Sequence, residues 1–351
     1  MVSFSVNVNV NVNVKGEWNR MKITIREIAK AAGVSMNTVS RALNGKGDIS
    51  EETKENIERI AKELNYTPNQ FAKNLRSQKS NLIGVIVTNI ANPFYAEIIK
   101  VAEGIARDNN YDLMLCNSSE DRMLEKKILS MMKSKFVDGI LITPVNADLA
   151  TINLLDETGI PYVIINREPE SSEGISYVVN NDEGGAYLGA RHLCERGIGE
   201  IHYLGGPKDM YTVKQRIKGC TRAVAEYPGT ELVIHNISIS LDESYKETLK
   251  IIEKTKDTRI GIFAYNDNLA IGAMKAIRES GRKIPSEVAL VGYDDILFAS
   301  MLEVPLTTIR QSSNEIGLRG ANLLMAKLTK KKNGCVKHEI LEPELIIRSS
   351  T

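Results

Sequence analysis

The sequence predicts an α/β protein: a small all-α module followed by a larger region built as doubly wound parallel sheets. Three observations predict it. Residues 24–44 read as two short helices around a glycine turn. From Leu82 onward, short apolar runs alternate with amphipathic stretches at helical spacing, the pattern of strand–helix units whose sheet is covered on both faces. Charge is also unevenly shared. Residues 22–80 carry eleven Lys/Arg against seven Asp/Glu, a net of +4, and residues 81–351 carry 32 against 36, a net of −4. A basic small module on an acidic large one fits a polyanion partner for the small module alone, although an excess of this size is weak support by itself.

Composition narrows the classes further. A chain of 351 residues has room for one small and one large domain. Its 42% apolar and 25% charged residues are ordinary for a globular protein in water. No apolar run approaches the ~20 residues of a membrane span. The four cysteines (Cys116, Cys194, Cys220, Cys335) and four histidines are scattered without C-x-x-C or ligand spacing. Free thiols in a reducing cytoplasm, with no metal and no cofactor, is the expectation.

The chain begins oddly. Val and Asn alternate over residues 6–14, a formal strand period with nothing identified to pair with. It lacks the basic start and continuous apolar core of a secretory signal. Residues 1–21 are expected to be a disordered tail, with translation starting at Met21. The module then spans residues 22–67. Thr24 and Glu27 form a capping-box pair, Ile25, Ile28 and Ala29 make one apolar face, and Gly33 supplies the positive φ of the turn. The second helix buries Val39, Ala42 and Leu43 and exposes Met36, Asn37, Ser40 and Arg41. Ser50 opens a third helix with Glu51 and Glu52 in its first turn, where the dipole favours acid. Helix, glycine turn and a polar, arginine-bearing second helix form a helix-turn-helix signature; an ordinary helical hairpin is the competing reading of that stretch alone.

Two motifs decide between them. Residues 34–44 read V-S-x-x-T-V-S-R-x-L-N and residues 66–76 read Y-x-P-N-x-x-A-x-x-L-R. In both, and over about nine-tenths of its length, the chain resembles the LacI/GalR family of bacterial transcription regulators. The resemblance implies that Met36, Asn37 and Arg41 face base edges in the major groove. The chemistry agrees: Arg forks onto guanine, Asn onto adenine, and Met offers apolar contact. Thr24, Ser35, Thr38 and Ser40 suit phosphates, and Ser35 suits a helix cap equally well. The linker, residues 68–80, then contains a hinge helix that orders on operator DNA and pairs with its dimer mate. In that hinge, Asn69, Ala72 and Leu75 lie on DNA, with Leu75 as a wedge at a central base step; the alternative is that Leu75 packs on the module.

Beyond the hinge, runs at 82–87, 113–116, 139–142, 162–165, 201–204, 261–264 and 288–291 read as strands, with helices among them at 95–107, 123–135, 184–196, 215–226 and 268–280. The resemblance implies a type I periplasmic-binding-protein-like domain of two lobes, placed at 81–181 plus 312–338 and at 182–311 plus 339–351. Such sheets bind ligands beyond the carboxyl ends of their strands. By the same resemblance, Phe94, Asn166, Arg167, Thr212, Arg216, Asn266, Asp294 and Gln311 line an effector cleft. Carboxamides, carboxylates and guanidinium groups with an aromatic ring suit a sugar, because an unpaired buried group costs ~1–3 kcal/mol. Asp267 and Asp295 are expected as helix caps.

Adjacent Asp294 and Asp295 could suggest acid–base chemistry, but no nucleophile–base–orienter set accompanies them, and there is no phosphate-binding glycine loop. The expectation is a homodimeric, cytoplasmic regulator, a repressor, that reads a near-palindromic double-stranded operator. A small-molecule effector controls it by binding the two lobe arrangements unequally. A catabolite-control-type regulator with a phosphoprotein partner near the hinge is the alternative, and a sugar-binding receptor a more distant one.

Overall fold

The computed structural model describes residues 23–43, 49–66, 79–256, 258–329 and 336–351. Two compact units divide at Arg76/Ser77. The expected tail and the expected hinge, with Asn69, Ala72 and Leu75, lie outside the described residues.

The first unit contains α1 (Ile25–Ala32), α2 (Met36–Leu43) and α3 (Glu51–Glu63). Their apolar faces close on one another: Ile28 and Ala29 from α1, Val39 and Ala42 from α2, and Ile57, Ile60 and Ala61 from α3 form one buried cluster. None of these helices is long enough to be stable alone, so this shared core carries them.

The second unit repeats one topology twice. The first lobe holds β1 (Leu82–Val87), α4 (Pro93–Asp108), β2 (Asp112–Asn117), α5 (Arg122–Ser134), β3 (Gly139–Ile142), α6 (Leu149–Thr158), β4 (Tyr162–Ile165) and β5 (Tyr177–Asn180). The second lobe holds α7 (Asp182–Glu195), β6 (Glu200–Gly205), α8 (Tyr211–Ala225), β7 (Glu231–Asn236), α9 (Leu241–Lys254), β8 (Ile260–Ala264), α10 (Asp267–Glu279), β9 (Val288–Asp294) and β10 (Thr307–Arg310). The chain returns to the first lobe with α11 (Ser313–Leu328) and β11 (His338–Leu341), and ends in the second with β12 (Glu344–Ile346). The strand orders are β2-β1-β3-β4-β5-β11 and β7-β6-β8-β9-β10-β12. In each, the order reverses beside the first strand, which opens a crevice at the carboxyl ends.

Two details depart from the sequence-based expectation. The third crossing between lobes is expected at 338/339, but β11 pairs with β5 in parallel as far as Leu341↔Asn180, so the crossing lies three residues later. The second sheet is also not wholly parallel: β12 runs antiparallel along β10. Central strands are buried throughout, as in Val288–Asp294, which is why they read as continuous apolar runs. No helix among the described residues is long and apolar enough to cross a membrane.

Candidate functional sites: a recognition helix and an interlobe cleft

In the small unit the predicted local chemistry is in place. Thr24 and Glu27 close a capping box at the start of α1. Gly33 takes φ +67 and its N–H donates to the Ala29 carbonyl, ending α1 cleanly. The Ser35 hydroxyl accepts the Thr38 N–H at 3.0 Å and lies 2.9 Å from the Thr38 hydroxyl, so it caps α2. With Val39 and Ala42 turned inward, Met36, Asn37 and Arg41 stand on the exposed side, and Thr38 and Ser40 are half-buried. Met36 is 56% exposed, so its side chain is free to make apolar contact.

In the large unit a cavity of about 270 Å³ opens between the two crevices. Phe94, Asn166, Arg167, Arg216, Asn266, Asp294 and Gln311 all line it, although they come from separate places in the chain. Thr212 does not. Its hydroxyl is buried behind the wall, 3.0 Å from the Tyr265 hydroxyl, and so braces a residue that does line the cavity.

Each wall residue is held by its element. Asn92 caps α4 by accepting the Phe94 N–H at 3.1 Å, and Asn266 caps α10 by accepting the Leu269 N–H at 2.9 Å. Both caps keep their amide N–H groups for other partners. Arg167 forks onto Glu120, with Nη1 to Oε2 at 3.0 Å and Nη2 to Oε1 at 2.7 Å, and Nη1 also donates to the Pro144 carbonyl at 2.8 Å. Arg216 donates to Asp182 Oδ1 from Nε at 2.8 Å and to the Tyr265 carbonyl. Its guanidinium lies between the rings of Tyr265 and Tyr293, 4.5 and 3.6 Å from their centroids.

Asp294 is the junction of the site. Gln311 donates to its Oδ1 at 2.6 Å and Asn92, from the other lobe, to its Oδ2 at 3.1 Å. Asn180 donates in turn to the Gln311 carbonyl oxygen at 2.7 Å. Burial pushes the Asp294 carboxyl up to about 6, against the opposing pull of Arg216 and the two amides. Its φ of +118 is one that a non-glycine residue rarely adopts, and Asn166, at φ +64, shares the strain. Such backbone cost concentrates where a site must present a side chain. Nearby, burial also pushes Glu125 up to about 7, its Oε2 accepting the Val145 N–H at 2.7 Å.

The expected caps are corrected. Asn266, not Asp267, caps α10. Asp267 is fully buried, accepting from the Thr308 hydroxyl at 2.6 Å and the Ile296 N–H at 2.9 Å. A Cβ at Gly292 would come within 2.1 Å of its Oδ1, which explains the glycine there. Asp295 caps no helix among the described residues and pairs with Arg310 at 2.7 Å and Arg348 at 2.6 Å. Sequence reasoning marks the stretches 92–95 and 180–182 at the strand ends but gives Tyr95 and Asp182 no role, and it misses Glu120 and Tyr265. Glu120 was findable, since it lies just past the carboxyl end of β2, where such sheets place ligands. Asp182 and the two tyrosines act by contacts that no linear pattern encodes.

Comparison with known proteins assigns the chain. Residues 24–69 match the family model described as bacterial regulatory proteins, lacI family, and residues 190–351 match a periplasmic binding protein-like domain. The chain is 35% identical to the ribose operon repressor of Halalkalibacterium halodurans, over 93% of this chain and 97% of that one. It belongs to the lacI family. Among solved structures, this lacI-family chain is similar to the lac repressor dimer bound to operator and the anti-inducer ONPF, at 25% identity and TM-score 0.79, covering 93% of this chain and 98% of that one. It is also similar to a LacI family regulator from Enterococcus faecium with bound ribose, at 28% identity and TM-score 0.68, covering 77% of this chain and 98% of that one. As a lacI-family protein, the chain is a sequence-specific DNA-binding transcriptional regulator and not an enzyme.

Proposed function

We propose that this regulator is a homodimeric cytoplasmic repressor whose hold on a near-palindromic operator is set by a small polyhydroxylated effector, a sugar, in the interlobe cleft. The observation that carries the reading is Asp294, held by amides from both lobes at the point where the two crevices meet. A ligand there must interact with both lobes, and so bind their arrangements unequally, which is the condition for shifting an equilibrium. The relatives' names support the effector class: a ribose operon repressor and a regulator with bound ribose.

Met36, Asn37 and Arg41 read bases; Thr24, Ser35, Thr38 and Ser40 set register on phosphates. Asn69, Ala72 and Leu75 enter the minor groove, as the resemblance implies. Phe94, Asn166, Arg167, Arg216, Asn266, Asp294 and Gln311 contact the effector, with Thr212 behind them. The dimer is supported by one exposed apolar patch on the second lobe. Leu297, Phe298 and Met301 are 64%, 52% and 70% exposed around a single short 3-10 turn, a grouping that a second copy would cover.

A gel shift with the DNA upstream of its own gene tests the reading. A specific complex should survive excess competitor DNA and respond to one member of a monosaccharide panel. If a sugar binds the protein but leaves operator affinity unchanged, the regulatory role of the cleft is wrong.

A further inference from the structure

The charge layout of the cleft says more about its ligand than the fold does. Two guanidinium groups reach the cavity, and each already has a carboxylate of its own. Arg167, 4% exposed, is matched fork to fork by Glu120. Arg216, 3% exposed, is matched by Asp182 and pinned between two tyrosine rings. The third carboxylate, Asp294, is held by amides and makes no ion pair among the described residues. Two cation–carboxylate pairs cancel, and Asp294 leaves the cleft one negative charge above its titration near pH 6. The rest of the polar lining is hydroxyl and carboxamide.

The helix N-termini at the cleft do not reverse this. A helix start attracts anions when its N–H groups are open. Here α4 and α10 are capped by Asn92 and Asn266, and the first turns of α7 and α10 carry Asp182 and Asp267.

Resting on the cleft being the effector site, we infer that the effector is an uncharged monosaccharide, and that Glu120, Asp182 and Asp294 exclude its phosphorylated and acid counterparts. An anionic ligand meets the residual charge of Asp294 and finds both cations neutralised, so binding it means breaking a buried ion pair. A neutral polyol offers hydroxyl donors to Asp294 and can exchange hydrogen bonds with the carboxamides of the lining without disturbing either ion pair. The cavity volume of about 270 Å³ lies at the small end of ligand pockets, which suits one sugar ring.

The test uses the full chain, with D-ribose, D-xylose and D-glucose each compared with charged partners: ribose 5-phosphate, glucose 6-phosphate and gluconate. Thermal shift screens the panel, and calorimetry measures the affinities. The expected result is that a neutral sugar binds at least about tenfold more tightly than any charged relative. In Glu120→Gln, which frees the Arg167 cation while keeping size, the gap should narrow by about tenfold. Asp294→Asn, which removes the residual charge, should narrow it as well, so the result does not hang on one variant folding. A sugar phosphate or acid that binds as tightly as its parent overturns the inference while leaving the cleft as the site. Failure of every neutral sugar in the panel to bind also overturns it. Ligand binding that ignores both variants and Arg216→Lys points away from the cleft, and the functional reading fails with it.

Discussion

At the scale of single residues, the role proposed for Asp294 ties its protonation to effector binding. Its carboxyl titrates near 6 where an ordinary aspartate titrates near 4, because the native site is buried. The native state therefore holds this proton more tightly than the unfolded chain does. Ionising the group as pH rises through 4 to 6 costs native stability, and the full cost is present above about pH 6. An effector that donates hydroxyls to the carboxylate prefers the ionised form. Its affinity should rise with pH to a plateau above about 6 and fall by up to about tenfold per unit below. Calorimetry from pH 5 to 8 checks this, and the slope should disappear in Asp294→Asn; an unchanged slope there would assign the proton elsewhere. In the small unit, Arg41→Ala should relax preference at one base position per half-site, at a cost of ~1–3 kcal/mol per contact. Binding-site selection with randomised operators measures it, and undiminished discrimination at every position would remove Arg41 from base reading.

At the scale of elements, the helix termini were legible and some strands were not. Thr24, Gly33, Ser35 and Ser50 sit where the sequence puts helix boundaries, because capping is a contact between near neighbours. The edge strand β7, Glu231–Asn236, has a half-exposed, mixed pattern, and β10, Thr307–Arg310, is mostly polar. Neither carries the apolar run that marks a central strand. The contact of α7 with α8 shows how an element holds a site. A Cβ at Gly219 would lie 2.1 Å from the Glu183 carbonyl oxygen and 2.8 Å from the Tyr187 nitrogen. Backbone cannot yield as a side-chain tip does, so Gly219→Ala should push α8 away from α7. Because α7 carries Asp182 and α8 carries Arg216, that shift separates the pair as well. A loss of ~1–3 kcal/mol in urea unfolding is expected, with effector binding weakened in parallel. Full stability with intact binding would show that the helices can separate without consequence.

At the scale of the molecule, two lobes with the same strand order face their crevices toward one cavity. That duplication is what lets short, separated motifs converge on the cavity where the effector is proposed to bridge the lobes. The proposed dimer belongs to this scale. Met301→Glu places a charge in the exposed patch of Leu297, Phe298 and Met301, so it should weaken self-association and lower operator affinity while sparing the cleft. Sedimentation velocity and gel shift read the two effects separately. A variant that remains dimeric would move the interface to another face.

What the sequence determined by itself was local or periodic. It set the helix-turn-helix with its caps, the alternation of buried strand and amphipathic helix, and the positions of polar residues just past strand ends. Those arise from neighbour contacts and from backbone period, which a linear chain displays. Only the tertiary structure decided the pairings. It matched Glu120 to Arg167 and Asp182 to Arg216, and it left Asp294 held by amides rather than by a cation. It also moved Thr212 behind the wall and carried β11 into the first sheet as far as Leu341. A charge has no fixed partner in a sequence; burial selects one, because an unpaired ion in a low-dielectric interior is too costly to leave.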